Sequence, residues 1–290
     1  MSINSLDHLM RKGTDGSITS TDWQFTTNRV CVANRWNDAA ALNTTGSRNT
    51  FSGTALTWVD CNSSSSFAMS IGQVVEEASG FSRHLIFGSA VSAAAAAVPG
   101  VLMLVDLQGY WPGLTNVTSP QTLSGTPTLR YPNGEGLKLY PVVTTVTGAG
   151  TPTLSLLYTN QAGTPSRTLS HSLVMPASTP IHTLYHYAPS ATSFGSGPFL
   201  PLQNGDTGVQ NVASVTMSAA TTGAFALCLA KPLITIPIVQ ISSIVERDFV
   251  TQLTSVPRIY NGACLTWLYY SGAATLVDSN IYGSLEMVWG

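Results

Sequence analysis

Phe225-Ala226-Leu227-Cys228-Leu229-Ala230-Lys231-Pro232-Leu233-Ile234-Thr235-Ile236-Pro237-Ile238 is the stretch that decides the fold. Phe225, Leu227 and Leu229 alternate with the smaller Ala226, Cys228 and Ala230. Successive side chains of a strand point to opposite faces, so this alternation predicts a strand with one tightly packed face. Ile234, Ile236 and Ile238 continue the period of two. Pro232 and Pro237 cannot donate to a ladder, which predicts an edge or irregular strand over that second half.

Outward from this strand the period of two persists from Trp23 onward, with turn signals at roughly ten-residue intervals. Leu56, Trp58 and Cys61 bracket a short strand, and Val101 to Leu107 is apolar on both faces, as a central buried strand would be. Thr128-Leu129-Arg130-Tyr131 and Leu137-Lys138-Leu139-Tyr140 flank Pro132-Asn133-Gly134-Glu135-Gly136 and predict a hairpin. Leu154, Leu156 and Tyr158 alternate before the turn at Gln161-Ala162-Gly163, and Leu285, Met287 and Trp289 predict a final strand held in a sheet. Gly53-Thr54-Ala55-Leu56-Thr57-Trp58 echoes Gly262-Ala263-Cys264-Leu265-Thr266-Trp267, and Thr126-Pro127-Thr128-Leu129 echoes Thr151-Pro152-Thr153-Leu154. Their offsets differ, so recurring strand grammar explains them better than a repeat.

Three stretches have helical character. Val91 to Val98 is alanine-rich and reads as two helical turns or equally as a compact loop; Val245 to Leu253 has weak helical spacing. The third is the N-terminus, where Ser2 is an N-cap candidate, Ile3, Leu6, Leu9 and Met10 share a face, and Gly13 follows Arg11-Lys12 as a stop. So short a helix is marginal alone in water, so it must dock on its own domain or on another subunit. The polar tract from Gly13 to Thr21 then serves as a tether. The expected fold is all-β, an antiparallel β-sandwich or jelly roll with an N-terminal helix or arm over residues 1–21. Two packed β domains, 22–148 and 149–290, meeting near Gly148-Ala149-Gly150, and one continuous domain both remain open.

Charge narrows the function. The 290 residues include 12 Lys+Arg and 14 Asp+Glu, only 9% charged, with a net charge of −2. Ordinary domains carry about 25%. Basic residues lie singly with no stripe, which argues against nucleic-acid binding. A polar surface so poor in ions associates readily, which favours a subunit that sits against neighbours and its own copies. No apolar run is long enough to cross a bilayer as a helix, and MSINSLDHLMRKG lacks the layout of a signal peptide. Synthesis in a reducing cytoplasm is expected, with Cys31, Cys61, Cys228 and Cys264, none in a zinc spacing, buried as small apolar residues.

Catalytic patterns are weak. Gly80-Phe81-Ser82-Arg83-His84 lacks the second glycine of a nucleophile elbow. His182 and His186 would lie about 13 Å apart along a strand, too far to share a metal ion. Asn204-Gly205-Asp206-Thr207-Gly208 lacks the alternating acids of a calcium loop and reads as a turn. Glu76-Glu77 and Glu246-Arg247-Asp248 are the only acidic clusters, and Arg247 is expected to pair with a carboxylate. No catalytic residue, metal or cofactor is therefore assigned, and the chain is not read as an enzyme. Tyr110-Trp111-Pro112 and Trp267-Leu268-Tyr269-Tyr270 read as core or interface anchors in preference to a sugar-stacking platform.

Several longer strings, Val98-Pro99-Gly100-Val101-Leu102-Met103-Leu104-Val105-Asp106-Leu107-Gln108-Gly109-Tyr110-Trp111, Gly205-Asp206-Thr207-Gly208-Val209-Gln210-Asn211-Val212, Leu229-Ala230-Lys231-Pro232-Leu233, Glu246-Arg247-Asp248-Phe249 and Pro257-Arg258-Ile259-Tyr260-Asn261-Gly262-Ala263-Cys264, resemble those of tailed-bacteriophage head-associated structural proteins. The resemblance runs from about Trp23 to Trp289-Gly290. It implies a virion component made in the host bacterial cytoplasm, a capsid decoration or cement subunit on the phage head surface. Its partners would be the major capsid protein and copies of itself, a trimer among the possible assemblies. The alternative is a tail- or fibre-associated module that binds a receptor or glycan. Ile3, Leu6, Leu9 and Met10 are the expected capsid- or subunit-binding residues, an inference from the helix alone.

Overall fold

The computed structural model describes residues 8, 11–12, 18–27, 31, 33–39, 50–69, 82–93, 98–185, 197–252, 255–272 and 279–289. The strands are β1 (Ile18–Thr27), β2 (Arg35–Asp38), β3 (Val59–Asp60), β4 (Arg83–Ser92), β5 (Gly100–Thr115), β6 (Gln121–Thr122), β7 (Lys138–Thr145) and β8 (Thr153–Asn160). They continue as β9 (Arg167–Thr168), β10 (Leu173–Val174), β11 (Val209–Met217), β12 (Ala224–Ile238), β13 (Val245–Asp248), β14 (Arg258–Ile259), β15 (Leu265–Ser271) and β16 (Ser279–Trp289). One short helix, α1 (Phe249–Gln252), follows β13. Every ladder between these strands is antiparallel, so the all-β antiparallel expectation holds.

Three sheets result. The six-stranded central one runs β2-β15-β5-β12-β7, with β3 beside β5. A five-stranded sheet runs β1-β16-β4-β13 with β14 on β4, and the other runs β10-β8-β11-β6 with β9 on β8. Each takes strands from both sides of residue 148. The long strands β5 and β12 carry the architecture, because each is shared by two cores. Leu102 and Leu104 with Ile234, Ile236 and Ile238 pack against Leu85, Leu285 and Met287 of the first flanking sheet. Trp111 and Leu114 with Phe225, Leu227 and Leu229 pack against Leu154, Tyr158, Val212 and Val215 of the second. Val105, Leu107, Ala226, Cys228 and Ala230 point the other way, into a third cluster with Trp36, Phe67, Tyr140 and Leu184.

Two irregularities let one face serve both sandwiches. The β5–β12 ladder has three register shifts; those between Leu229 and Ala230 and between Pro232 and Ile234 leave Gln108 and Leu233 as the extra residues, and the third falls between Phe225 and Leu227. An inserted residue reverses the inside-outside phase of the strand beyond it. Odd-numbered residues of β12 therefore face the flanking sheet before Leu233 and even-numbered ones after it. The proline reading also holds. β7 pairs only with Ala224–Ala230, whereas Pro232 and Pro237 lie where β5 is the one paired neighbour among the described strands.

Four expectations are corrected. Residues 128–131 form no hairpin with 137–140: β7 pairs with β12, and the segment before it is drawn down by Arg130, whose partners lie on β5. Val91 and Ser92 extend β4, since its ladder with β16 continues to them; residues 94–97 lie outside the described residues. The Val245–Leu253 stretch divides into β13, whose backbone β4 satisfies, and the four-residue α1. Arg247 forms no ion pair among the described residues, which hold two: Arg130–Asp106 and Arg167–Asp206.

Of the first echo, residues 265–267 lie in β15, whereas 53–58 precede β3 and form no strand. β12 occupies one edge of β5, and both β3 and β15 pair along the other. All four cysteines are buried free thiols, as expected. Burial disfavours the thiolate and pushes Cys31 up to about 12, so these side chains act as small apolar residues. Of the N-terminal stretch only His8, Arg11 and Lys12 are described, and all three are helical.

Candidate functional site

The expected contact residues Ile3, Leu6, Leu9 and Met10 lie outside the described residues, as do Glu76, Glu77, Gly80, Phe81 and His186. His182 is buried, with its N–H donating to the Val143 carbonyl at 2.7 Å, a position inside the fold. Among the described residues no group of three His, Cys, Asp or Glu could hold a metal ion. No helix there is long and apolar enough to cross a membrane. Tyr110, Trp111, Trp267 and Tyr269 are all at most 3% exposed, so these aromatics anchor cores and offer no stacking platform.

Asn204–Gly208 is a turn, as its composition predicts, yet Asp206 is the hub of a network. Its carboxylate accepts from Arg167 Nε at 2.9 Å, from the Tyr158 hydroxyl at 2.5 Å and from Asn160 Nδ2 at 2.7 Å. Burial opposes its ionisation, but these donors prevail and hold the carboxyl at about 2. A depressed carboxyl contributes stability above its unfolded value, about 3.9, that is lost as pH falls through the folded one. Stability against equilibrium unfolding should therefore fall progressively from about pH 4 towards pH 2. Asp206→Asn should be less stable at pH 7 and lack that part of the acid response.

A deeper ion pair lies where β5 bulges. Arg130 donates through Nη2 to Asp106 Oδ1 at 2.6 Å and through Nε to Oδ2 at 3.1 Å. Its remaining donors reach the carbonyls of Cys61 and Leu107, each at 2.6 Å. Asp106 also accepts from the Cys264 N–H, and Gln108 Oε1 accepts from the Arg130 N–H. Burial works against the guanidinium charge, and Asp106 more than offsets it, so Arg130 is held above its ordinary value. The next residue, Tyr131, is buried and its phenol is pushed well up by burial and then by Asp106.

Tyr131 also lines a cleft of about 630 Å³. Its lining includes Tyr131 and Glu135, Lys231 of β12, and Arg258 of β14 with Tyr260. The rings of Tyr131 and Tyr260 meet edge to face at 4.8 Å. Lys231 Nζ sits 5.4 Å from the Tyr131 ring centre, and the Arg258 guanidinium 4.5 Å from that of Tyr260. Lys231 Nζ donates to the Glu135 carbonyl at 3.2 Å, and burial lowers its pKa. Neither cation has a carboxylate within ion-pair distance among the described residues. Sequence reasoning missed this cleft. Its only trace was a basic residue beside or near a tyrosine twice over, in Arg130-Tyr131 and Arg258-Ile259-Tyr260.

A second surface feature is apolar. The link between β12 and β13 exposes Val239 at 65%, Ile241 at 40% and Ile244 at 63%. The link is fixed to β4, the Ser242 N–H donating to the Ser92 carbonyl at 2.8 Å.

No family model and no curated protein matches the chain. Two solved structures align with most of it at low similarity. VP1 of the Trichodysplasia spinulosa-associated polyomavirus, solved in complex with sialylated precision glycooligomers, is 12% identical, with 94% of each chain covered and a TM-score of 0.25. The VP2 subviral particle of infectious bursal disease virus is 10% identical, covering 93% of this chain and 80% of the other, with a TM-score of 0.19. Similarity of that size carries no argument about fold or function.

Proposed function

We propose that the chain is a structural component of a bacteriophage virion, a decoration or cement subunit on the head surface. It binds the lattice of the major capsid protein and copies of itself. The observation that carries this reading is the row of exposed Val239, Ile241 and Ile244 on an anchored link, in a chain with only 9% charged residues. Fully burying an exposed aliphatic side chain gains about 1.5–3 kcal/mol, and these three, 40–65% exposed, would gain roughly half of that each. A fixed backbone lowers the ordering cost of that contact. Repetition over a shell multiplies weak contacts into firm attachment. The strings that resemble tailed-phage head proteins support the same reading.

The N-terminal helix is the second proposed contact, Ile3, Leu6, Leu9 and Met10 docking on a neighbouring subunit. Purified heads lacking the protein, mixed with it and imaged by electron cryomicroscopy, test both contacts. Wild-type chain should decorate the heads. The triple change Val239→Asp, Ile241→Asp and Ile244→Asp should reduce occupancy at least tenfold with the circular dichroism unchanged. Deletion of residues 1–13 should also weaken it. Heads that never take up the wild-type chain end the proposal, and unchanged occupancy of the triple variant removes the apolar link from it.

A further inference from the structure

We infer that the cleft lined by Lys231 and Arg258 binds an acidic saccharide, its carboxylate held by these two cations and its hydroxyls by Glu135 and Ser255. The positive charge comes first. Lys231 and Arg258 line the same cavity without a carboxylate at ion-pair distance among the described residues. Glu135 is the one acid of the lining, so the cleft carries a net charge of +1. Such a site favours an anion. Each cation lies over a tyrosine ring, and the two rings brace each other. Cation–π contact restrains a long side chain that would otherwise lose rotamer freedom on binding.

The remaining lining decides what kind of anion fits. Glu135 and Ser255 are exposed at the same cavity. A carboxylate beside the cations needs hydroxyl donors as its own partners, and a sugar supplies several around one acidic group. An acidic peptide would bring fewer hydroxyl donors for Glu135 than a sugar does. A neutral sugar would leave both cations unmatched. A cavity near 630 Å³ falls in the ordinary range for small ligands, about 300–1,000 Å³. Burial already disfavours the ammonium of Lys231, so an incoming carboxylate recovers part of that cost. Attachment to a capsid forms no part of this argument.

The test uses the full chain and three probes: digalacturonate, the neutral digalactose of the same linkage, and triglutamate, titrated by calorimetry and by NMR. Digalacturonate should bind at least tenfold more tightly than the other two, and added salt should weaken it. Arg258→Gln changes an exposed side chain and should lower that affinity about tenfold, as should Lys231→Met, which keeps the buried stem. Glu135→Gln should weaken binding less than either. Absence of digalacturonate binding at 10 mM (roughly −2.7 kcal/mol), equal binding of the neutral disaccharide, or no loss in Arg258→Gln would each overturn the inference. Tighter binding of triglutamate would overturn it in favour of an acidic protein segment. The two cation variants should still decorate heads normally, which separates a failure here from a failure of the capsid proposal.

Discussion

Replacing Arg130 with methionine should lower the free energy of unfolding by about 3–5 kcal/mol, measured by urea denaturation near neutral pH. The side chain of Asp106 is fully buried, and Arg130 is its bidentate partner. Removing the guanidinium leaves a carboxylate in a low-dielectric interior without its cation, the Cys264 N–H still donating to it. It also strips a donor from the Cys61 and Leu107 carbonyls. Asp106→Asn should be milder, because a neutral amide leaves no uncompensated anion. The double change Arg130→Met with Asp106→Leu should recover part of the loss, since neither charge is then stranded. Full additivity of the two single changes would show that the pair is not coupled.

Trp111→Ala should cost a comparable 3–5 kcal/mol, read from the same denaturation curves. Trp111 is wholly buried in the second core, its ring 4.5 Å from that of Trp58. Its indole N–H donates to the Ser124 carbonyl at 3.2 Å. Truncation therefore opens a cavity under Leu114, Leu227 and Leu229 and removes one of two donors to that carbonyl, the Trp58 N–H remaining at 2.9 Å. Trp111→Phe keeps a ring in the space and should lose less. A change under 1 kcal/mol for Trp111→Ala, well below the usual range, would mean that the long central sheet closes over the gap.

How far the sequence could be read follows from where each signal lies. Phe225 to Ala230 was legible because both faces of β12 are packed there, one by large side chains and one by small. The bulges at Gln108 and Leu233 were not, since an inserted residue changes the phase without changing the composition. Arg130 defeated the hairpin reading because its partner Asp106 sits 24 residues away and no local pattern encodes that attraction. Val245–Leu253 misled for a related reason: the free edge of β4 offered hydrogen bonds that outweighed weak helical spacing. The cleft draws its lining from three separated segments, so no single window of sequence contains it.

The pairing of β1 with β16 sets the timing of biosynthesis. Ile18 lies opposite Val288, and Thr27 opposite Ser279. A ribosome adding roughly 5–20 residues per second needs about fifteen to fifty seconds to travel from one to the other. Throughout that interval β1 lacks the edge of β16, and for most of it the Trp267 ring that packs on Trp23 is not yet made. A nascent chain of this kind depends on chaperones, or on its own polar threonines and serines, to keep an unpaired strand from meeting the same strand on the next polysome.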